Sequence, residues 1–208
     1  MRSCLLIGLA GGSGSGKTYF LKNLLTHFAP NEISMLSMDN YYLPIQEQIK
    51  DENGIENFDR PEAINHRLLF SDISKLTSGH PVKIEEYHFN LVGKAEKTIT
   101  IQPRSVILVE GLFTLYYPEI RNLLDLKIYL ETPDFLMLTR RIKRDASERG
   151  YDLNDVLYRF EHHTMPTFYK YILPSRQYAD MIISNDDKVS KPIEVLISYI
   201  KEHLKNSN

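Results

Sequence analysis

The chain has 208 residues, 42% of them hydrophobic and 25% charged, with a formal net charge of −2 and one cysteine. This length holds one domain with its own core, this composition excludes disorder or coiled coil for the whole, and this charge balance gives no bulk attraction to nucleic acid. Cys4 alone excludes an intrachain disulfide, and no apolar run approaches the roughly 20 residues of a membrane span, so the expectation is a soluble cytoplasmic protein with no nucleic-acid or membrane partner.

Residues 4–10 form a short continuous apolar run, the pattern of a strand buried on both faces. A helix over 17–28 follows, with Phe20, Leu24, Leu25 and Phe28 at helical spacing and Pro30 closing it. A second strand over 33–38 ends at Asp39. Residues 60–76 read as one helix, with Pro61 in its first turn and Ile64, Leu68, Leu69, Ile73 and Leu76 as its apolar stripe. Alternation over 82–89 and 98–101 predicts a hairpin. Buried strands are expected at 106–109 and 126–130. Pro133 opens a long helix with Phe135, Leu138, Ile142 and Ala146 on one face, and 153–172 continues helical with a break or kink at Pro166. A strand over 181–184 and an amphipathic helix over 191–204 complete the order.

Short buried strands alternating with helices predict an α/β fold, a doubly wound parallel sheet with flanking helices. One domain, 1–208, carries a small β-hairpin excursion over 82–101 and a helical lid over about 140–165. Ligands on such sheets bind at the carboxyl ends of the strands, where the glycine run, Asp39 and Glu110 all stand.

Gly11-Gly12-Ser13-Gly14-Ser15-Gly16-Lys17-Thr18 matches G-x-x-x-x-G-K-[ST] between a strand and a helix. Glycines there let successive backbone N–H groups face phosphate oxygens, Lys17 reaches the β- and γ-phosphates, and the Thr18 hydroxyl is a Mg²⁺ ligand. The helix behind adds its positive end. No Asn-Lys-x-Asp segment reads guanine, and Asp51-Glu-Asn-Gly54 has the loose D-x-x-G form without a preceding strand. Asp39 is either a base for an incoming hydroxyl or a turn cap. Glu110 is either a Mg²⁺ holder or a solvated strand end. Arg140, Arg141, Lys143, Arg144 and Arg149 either close over a transferred phosphate or form a salt-bridged surface, since Arg141–Asp145, Arg144–Glu148 and Asp145–Arg149 all have i,i+4 spacing. The histidines, including His162-His163, lack metal-site spacing.

Together these residues resemble the uridine kinase (uridine–cytidine kinase) family, within the phosphoribulokinase/uridine kinase group of P-loop kinases. The resemblance runs from about Leu5 to Ile183. It rests on Gly11 to Thr18, Asp39-Asn-Tyr-Tyr42, Asn57-Phe-Asp-Arg-Pro61, Tyr87, Glu110-Gly111, Arg140-Arg-Ile-Lys-Arg-Asp-Ala-Ser-Glu-Arg-Gly150 and Pro174-Ser-x-x-Tyr-Ala-Asp180. It implies a P-loop NTPase-type fold, ATP as phosphate donor, Mg²⁺, pyrimidine salvage and a homotetramer. It also implies roles. Asp39, Lys17, Arg144 and Arg149 are catalytic, with Asp39 the base for a nucleoside 5′-hydroxyl. Thr18, Glu110 and Asp39 surround the metal. Asp59 and Arg141 contact ribose hydroxyls, and Tyr42, Phe58 and Tyr87 surround the nucleoside. By pattern alone Phe58 and Tyr87 would be packing residues.

The chain also departs from the family. Val92 replaces a histidine that reads the pyrimidine edge, Tyr151 replaces an arginine, and Arg159 replaces a glutamine. Ser184-Asn185-Asp186 stands where the family has Pro-Arg-Gly near the adenine. His88 is the nearest histidine to the missing one, but strand alternation turns it to the opposite face. Three readings follow: phosphorylation of uridine or cytidine to UMP or CMP, a kinase for a different riboside or small alcohol, or a non-catalytic nucleotide-binding regulator.

Overall fold

The computed structural model describes residues 4–87, 97–148, 150–186 and 190–206. Among these the strands are β1 (Leu5–Ala10), β2 (Ile33–Ser37), β3 (Val82–Glu85), β4 (Thr98–Ile101), β5 (Val106–Gly111), β6 (Leu126–Glu131) and β7 (Met181–Ser184). Five of them form one parallel sheet in the order β2-β5-β1-β6-β7. Ile7 of the central strand stands beside Leu108 on one side and Leu126 on the other. The main helices are α1 (Lys17–Leu25), α2 (His66–Thr77), α3 (Pro118–Arg121) and α4 (Asp134–Glu148), with a C-terminal helix Ser190–Asn206. The doubly wound parallel sheet expected from the sequence is the fold.

Alternation along the strands sorts side chains into two cores. Leu6, Leu36, Ile107, Val109 and Tyr129 meet Leu69, Ile73 and Leu76 of α2 on one face. Leu5, Ile7, Leu9, Leu108, Ile128 and Ile183 meet Phe20, Leu21 and Leu24 of α1, with Ile193, Leu196 and Ile200 of the C-terminal helix, on the other. Each fully buried aliphatic side chain contributes about 1.5–3 kcal/mol, which is why an uninterrupted apolar run belongs at the centre of such a sheet. Among the described residues no helix is long and apolar enough to cross a membrane.

Several boundaries differ from expectation. The single helix over 60–76 is two pieces: a 3₁₀ turn at Pro61–Ala63, an extended Ile64 bridged to Tyr42, then α2. Asn65 causes the restart, because its side chain accepts from the Leu68 N–H at 3.1 Å as an N-cap. The hairpin exists as an antiparallel pair, Val82 opposite Ile101 and Glu85 opposite Thr98, but its first strand ends at Glu85. Its expected extension to residue 89 lies partly outside the described residues, as do His88 and Val92. At Pro166, where a break or kink is expected, the helix is not broken but leaves α geometry around the proline. Thr164 and Met165 keep right-handed helical dihedrals, and a π-helical stretch, Phe160–Thr164, precedes the proline. The wider turn makes room for a ring that would clash in an α-helix. The buried face of α4 is the largest correction. Phe135 and Ala146 are exposed, while Met137, Arg141 and Asp145 are buried. The inward stripe is mixed, with Arg141 and Asp145 in line with the apolar Met137.

Candidate active site

The loop between β1 and α1 is shaped by its backbone. Gly14 has φ +80°, and a Cβ there would lie 2.4 Å from the Met137 carbonyl oxygen, so only glycine lets the loop sit against α4. Lys17 Nζ donates to the carbonyls of Gly11 at 2.9 Å and Gly12 at 3.1 Å. The Ser15 carbonyl is drawn outward by three donors: Asn185 Nδ2 at 2.6 Å, Thr132 Oγ1 at 3.0 Å and Arg140 Nη1 at 3.4 Å. Across a planar trans peptide the Gly16 N–H then points the opposite way. Asn185, buried just beyond β7, is held in turn by its own N–H donating to the Glu131 carbonyl at 2.8 Å. Asn185 and Thr132 were not among the sequence-derived site residues. The only signal for them was a polar residue directly after a buried strand.

Asp39 and Glu110 follow from the neighbouring strand ends. Ser37 Oγ accepts from the Asp39 N–H at 3.3 Å and donates to Glu110 Oε1 at 2.5 Å, which starts the 3₁₀ turn Met38–Tyr41 and aims both acids at the loop. Glu110 is buried rather than solvated. Burial pushes its carboxyl up, the Asp39 charge pushes it further, and Lys17 and the Ser37 hydroxyl only partly offset the rise. Burial lowers the Lys17 ammonium, opposed by Glu110 and Asp39 and reinforced by Arg144. Two carboxylates facing each other beside a desolvated ammonium make an environment that a cation would settle.

Among the described residues no three Asp, Glu, His or Cys side chains are grouped to hold a metal ion by themselves. Mg²⁺ is commonly held by one or two carboxylates together with substrate phosphates. Thr18, Asp39 and Glu110 line the same cavity and supply only hard oxygen donors.

On the far side of that cavity stand Tyr42 and Phe58, edge to face at 5.8 Å, with Tyr87 at 5.2 Å from Tyr42. The Tyr87 N–H donates to Asn40 Oδ1 at 3.1 Å, which ties the end of the hairpin strand to the turn carrying Asp39. Asp59 is buried beside them. Its Oδ2 accepts from Thr164 Oγ1 at 2.8 Å, and both oxygens lie 3.4 Å from Arg141 Nη1. Burial pushes the Asp59 carboxyl up, but the Arg141 charge and the Thr164 hydrogen bond outweigh it and hold the group below its ordinary value.

Arg141 and Asp59, each expected to contact ribose hydroxyls, are thus paired with each other. Arg141 also donates to Ser13 Oγ at 3.0 Å and meets Asp145 through Nε at 3.3 Å. The i,i+4 pair that could have been a surface bridge is buried, and it joins the phosphate loop to the Asp59 wall. Arg144, about one-third exposed, donates through Nε to Asp145 at 2.7 Å and lines the cavity. Arg149, also expected in the site, lies outside the described residues.

The cavity holds about 930 Å³ and runs without interruption from Lys17 and Thr18 past Asp39, Glu110 and Arg144 to Tyr42, Phe58 and Asp59, with Tyr151 and Arg159 in its wall. One end is suited to phosphates and the other to a small ring-bearing molecule with hydroxyl donors.

The model of the phosphoribulokinase/uridine kinase family matches residues 6–190. The uridine kinase of Clostridium perfringens is 32% identical over 98% of both chains, and that of Borrelia duttonii is 34% identical over 98% of this chain and 97% of its own. Uridine-cytidine kinase A of Dictyostelium discoideum is 35% identical over 99% of this chain, which spans only 41% of that longer protein. Among solved structures, phosphoribulokinase from Rhodobacter spheroides superposes with TM-score 0.65 at 15% identity, covering 88% of this chain and 71% of its own. A possible uridine kinase from Bacillus stearothermophilus gives 0.55 at 18% identity over 86% and 88%. At these identities the structural likeness speaks for the fold.

Proposed function

The chain belongs to the phosphoribulokinase/uridine kinase family, and from that premise we propose that it is a phosphotransferase moving the γ-phosphate of ATP to the 5′-hydroxyl of a nucleoside, uridine or cytidine. The observation that carries this reading is the single cavity, with Lys17, Asp39 and Glu110 at one end and the Tyr42–Phe58 corner with Asp59 at the other. In this reading a substrate held at the Asp59 end offers its hydroxyl to Asp39, which lines the same cavity.

In this proposal Asp39 accepts the hydroxyl proton as the oxygen attacks the γ-phosphorus and the bond to the departing ADP oxygen breaks. Lys17 and Arg144 offset the negative charge on the transferred group, and Arg149 is assigned the same task. Thr18, Asp39 and Glu110 would hold Mg²⁺, which supplies further charge neutralisation at the phosphates when bound. Asp59, an acceptor of hydrogen bonds only, suits vicinal ribose hydroxyls, with Arg141 fixing its position. We take residues 1–208 as one domain whose 140–165 segment closes over the site and excludes water, which would otherwise receive the phosphate. Cytoplasmic location, a role in pyrimidine salvage and a tetrameric assembly belong to the same proposal.

A different riboside is the second reading, and one observation favours it. Tyr151 and Arg159 both line the cavity, with the Arg159 guanidinium 5.4 Å from the Tyr151 ring centre. A panel of nucleosides and ribosides in a coupled ADP-release assay tests both. Turnover of uridine or cytidine supports the first. Turnover of another riboside alone replaces it with the second.

A further inference from the structure

One partly buried carboxylate near the site, Asp51, has no part in the chemistry described so far. Asp51 Oδ1 accepts from the backbone N–H groups of Asn53 and Ile55, each at 2.9 Å. Its Oδ2 accepts from the Tyr158 hydroxyl at 2.8 Å and lies 2.7 Å from His163 Nε2. An ionised carboxylate only accepts, so that imidazole nitrogen carries the proton. Asn53 Nδ2 donates to the Tyr158 hydroxyl at 2.6 Å, and His163 is 1% exposed. The loose D-x-x-G segment and the second histidine of the adjacent pair, which no motif explained, are thus two halves of one cluster.

The position of this cluster gives it a purpose. Arg159 Nη1 donates to the Glu56 carbonyl at 2.9 Å, and Thr164 Oγ1 donates to Asp59 Oδ2 at 2.8 Å. One helical stretch, 158–164, therefore holds the loop 51–59 at three successive points: Asp51, Glu56 and Asp59. That loop carries Phe58 and Asp59. The phosphate loop is anchored through the Ser15 carbonyl and joined to this wall through Arg141.

We propose that Asp51, Tyr158 and His163 form a positioning clasp that holds the Phe58–Asp59 wall at the geometry needed for the acceptor, and so sets acceptor affinity without touching the acceptor. The proposal rests on the reading of that wall as the acceptor side of the cavity. Four donors converge on one carboxylate, two from the loop's own backbone and two from the helical stretch, and they fix the loop relative to the helix; ordering the wall before the acceptor arrives removes that cost from binding.

The test compares Tyr158→Phe, Asp51→Asn and the double variant with the wild type, using whichever acceptor the wild type turns over. Each single variant is expected to raise the acceptor KM about 10-fold, the scale of one lost hydrogen bond to a charged group. The ATP KM and the kcat at saturating acceptor stay at wild-type values. The double variant is no worse than the poorer single, because both residues act through the same contact. Amide hydrogen exchange over 55–59 accelerates in all three. A fall in kcat alone, or parallel changes in both KM values, would mean general loosening and overturn the proposal. So would an unchanged acceptor KM. If the wild type turns over no nucleoside, the function proposed above fails while the clasp is still decided by exchange, where wild-type protection over 55–59 in Tyr158→Phe sinks it.

Discussion

The loop Gly11–Thr18 and the wall around Asp59 face each other across one cavity, yet they hold their shapes by different means. The loop is contiguous in sequence and made largely of backbone: glycine dihedrals, carbonyls that accept from Lys17, and one carbonyl at Ser15 pulled outward. The wall is assembled from side chains far apart in the chain, Asp59 with Arg141, Asp59 with Thr164, Asp51 with His163. A backbone cradle suits phosphates, whose oxygens are alike in every nucleotide. A side-chain wall can be rebuilt by substitution, which is where selection between acceptors has to reside.

If the two regions divide labour in this way, a change at the reacting centre should spare both affinities. Asp39→Asn is expected to lower kcat by about 10²–10⁴-fold, the usual contribution of a general base. ATP binding by calorimetry should remain near wild type. Turnover close to wild type would remove Asp39 from the proton transfer and restore its alternative reading as a turn cap.

Arg141 is the joint between the regions, since it touches Ser13 on one side and Asp59 on the other. Arg141→Met leaves the buried Asp59 and Asp145 carboxylates without their shared cation, so unfolding in urea should show a loss of about 3–5 kcal/mol. Adding Asp59→Asn should recover part of that loss by removing one stranded charge. No recovery would mean that the arginine acts mainly through Ser13 and packing.

The same contrast explains what could be read from the sequence. The phosphate loop was legible because its motif is local and the strand and helix around it have clear apolar patterns. Asp39 and Glu110 were legible as strand ends. Arg141 was visible but ambiguous, because Arg141–Asp145 spacing looks the same on a solvated face as on a buried one, and only the fold shows that α4 turns it inward. Asn185 and Asp51 stand in segments that the sequence marks, but neither they nor Thr164 carry a local sign of what they bind. The partners of Asn185, Thr164 and Asp51 lie 170, 105 and 112 residues away, and nothing near them in the chain announces the contact. The split of the 60–76 helix was missed because Ile64 fits a helical stripe, while Asn65 is a stronger cap than the stripe is a continuation signal.

Asn185→Ala tests the loop alone. It leaves the Ser15 carbonyl with Thr132 and Arg140 and removes the shortest of three hydrogen bonds. ATP affinity should weaken about 10-fold, the scale of one buried hydrogen bond with its lost preorganisation, and the acceptor KM should not move. An equal change in both constants would show that the loop and the wall are not independent.

The smallest effect separates the wall by its response to acid. The folded-state pKa of Asp59 is depressed, because Arg141 and Thr164 outweigh burial. A depressed carboxylate contributes stability that is present above its unfolded pKa of about 3.9 and is lost as pH falls through the lower folded value. The wild type should therefore begin to lose thermal stability as pH falls below about 4, where the unfolded chain takes up a proton that folded Asp59 does not. Asp59→Asn cannot lose what it no longer has, so its Tm should fall less over the same interval even though it starts lower at neutral pH. Scanning calorimetry of both proteins at pH 5 and pH 3 measures the difference. Equal falls would place the acid sensitivity on other carboxylates and leave the Asp59–Arg141 pair as a geometric device that contributes little to folding.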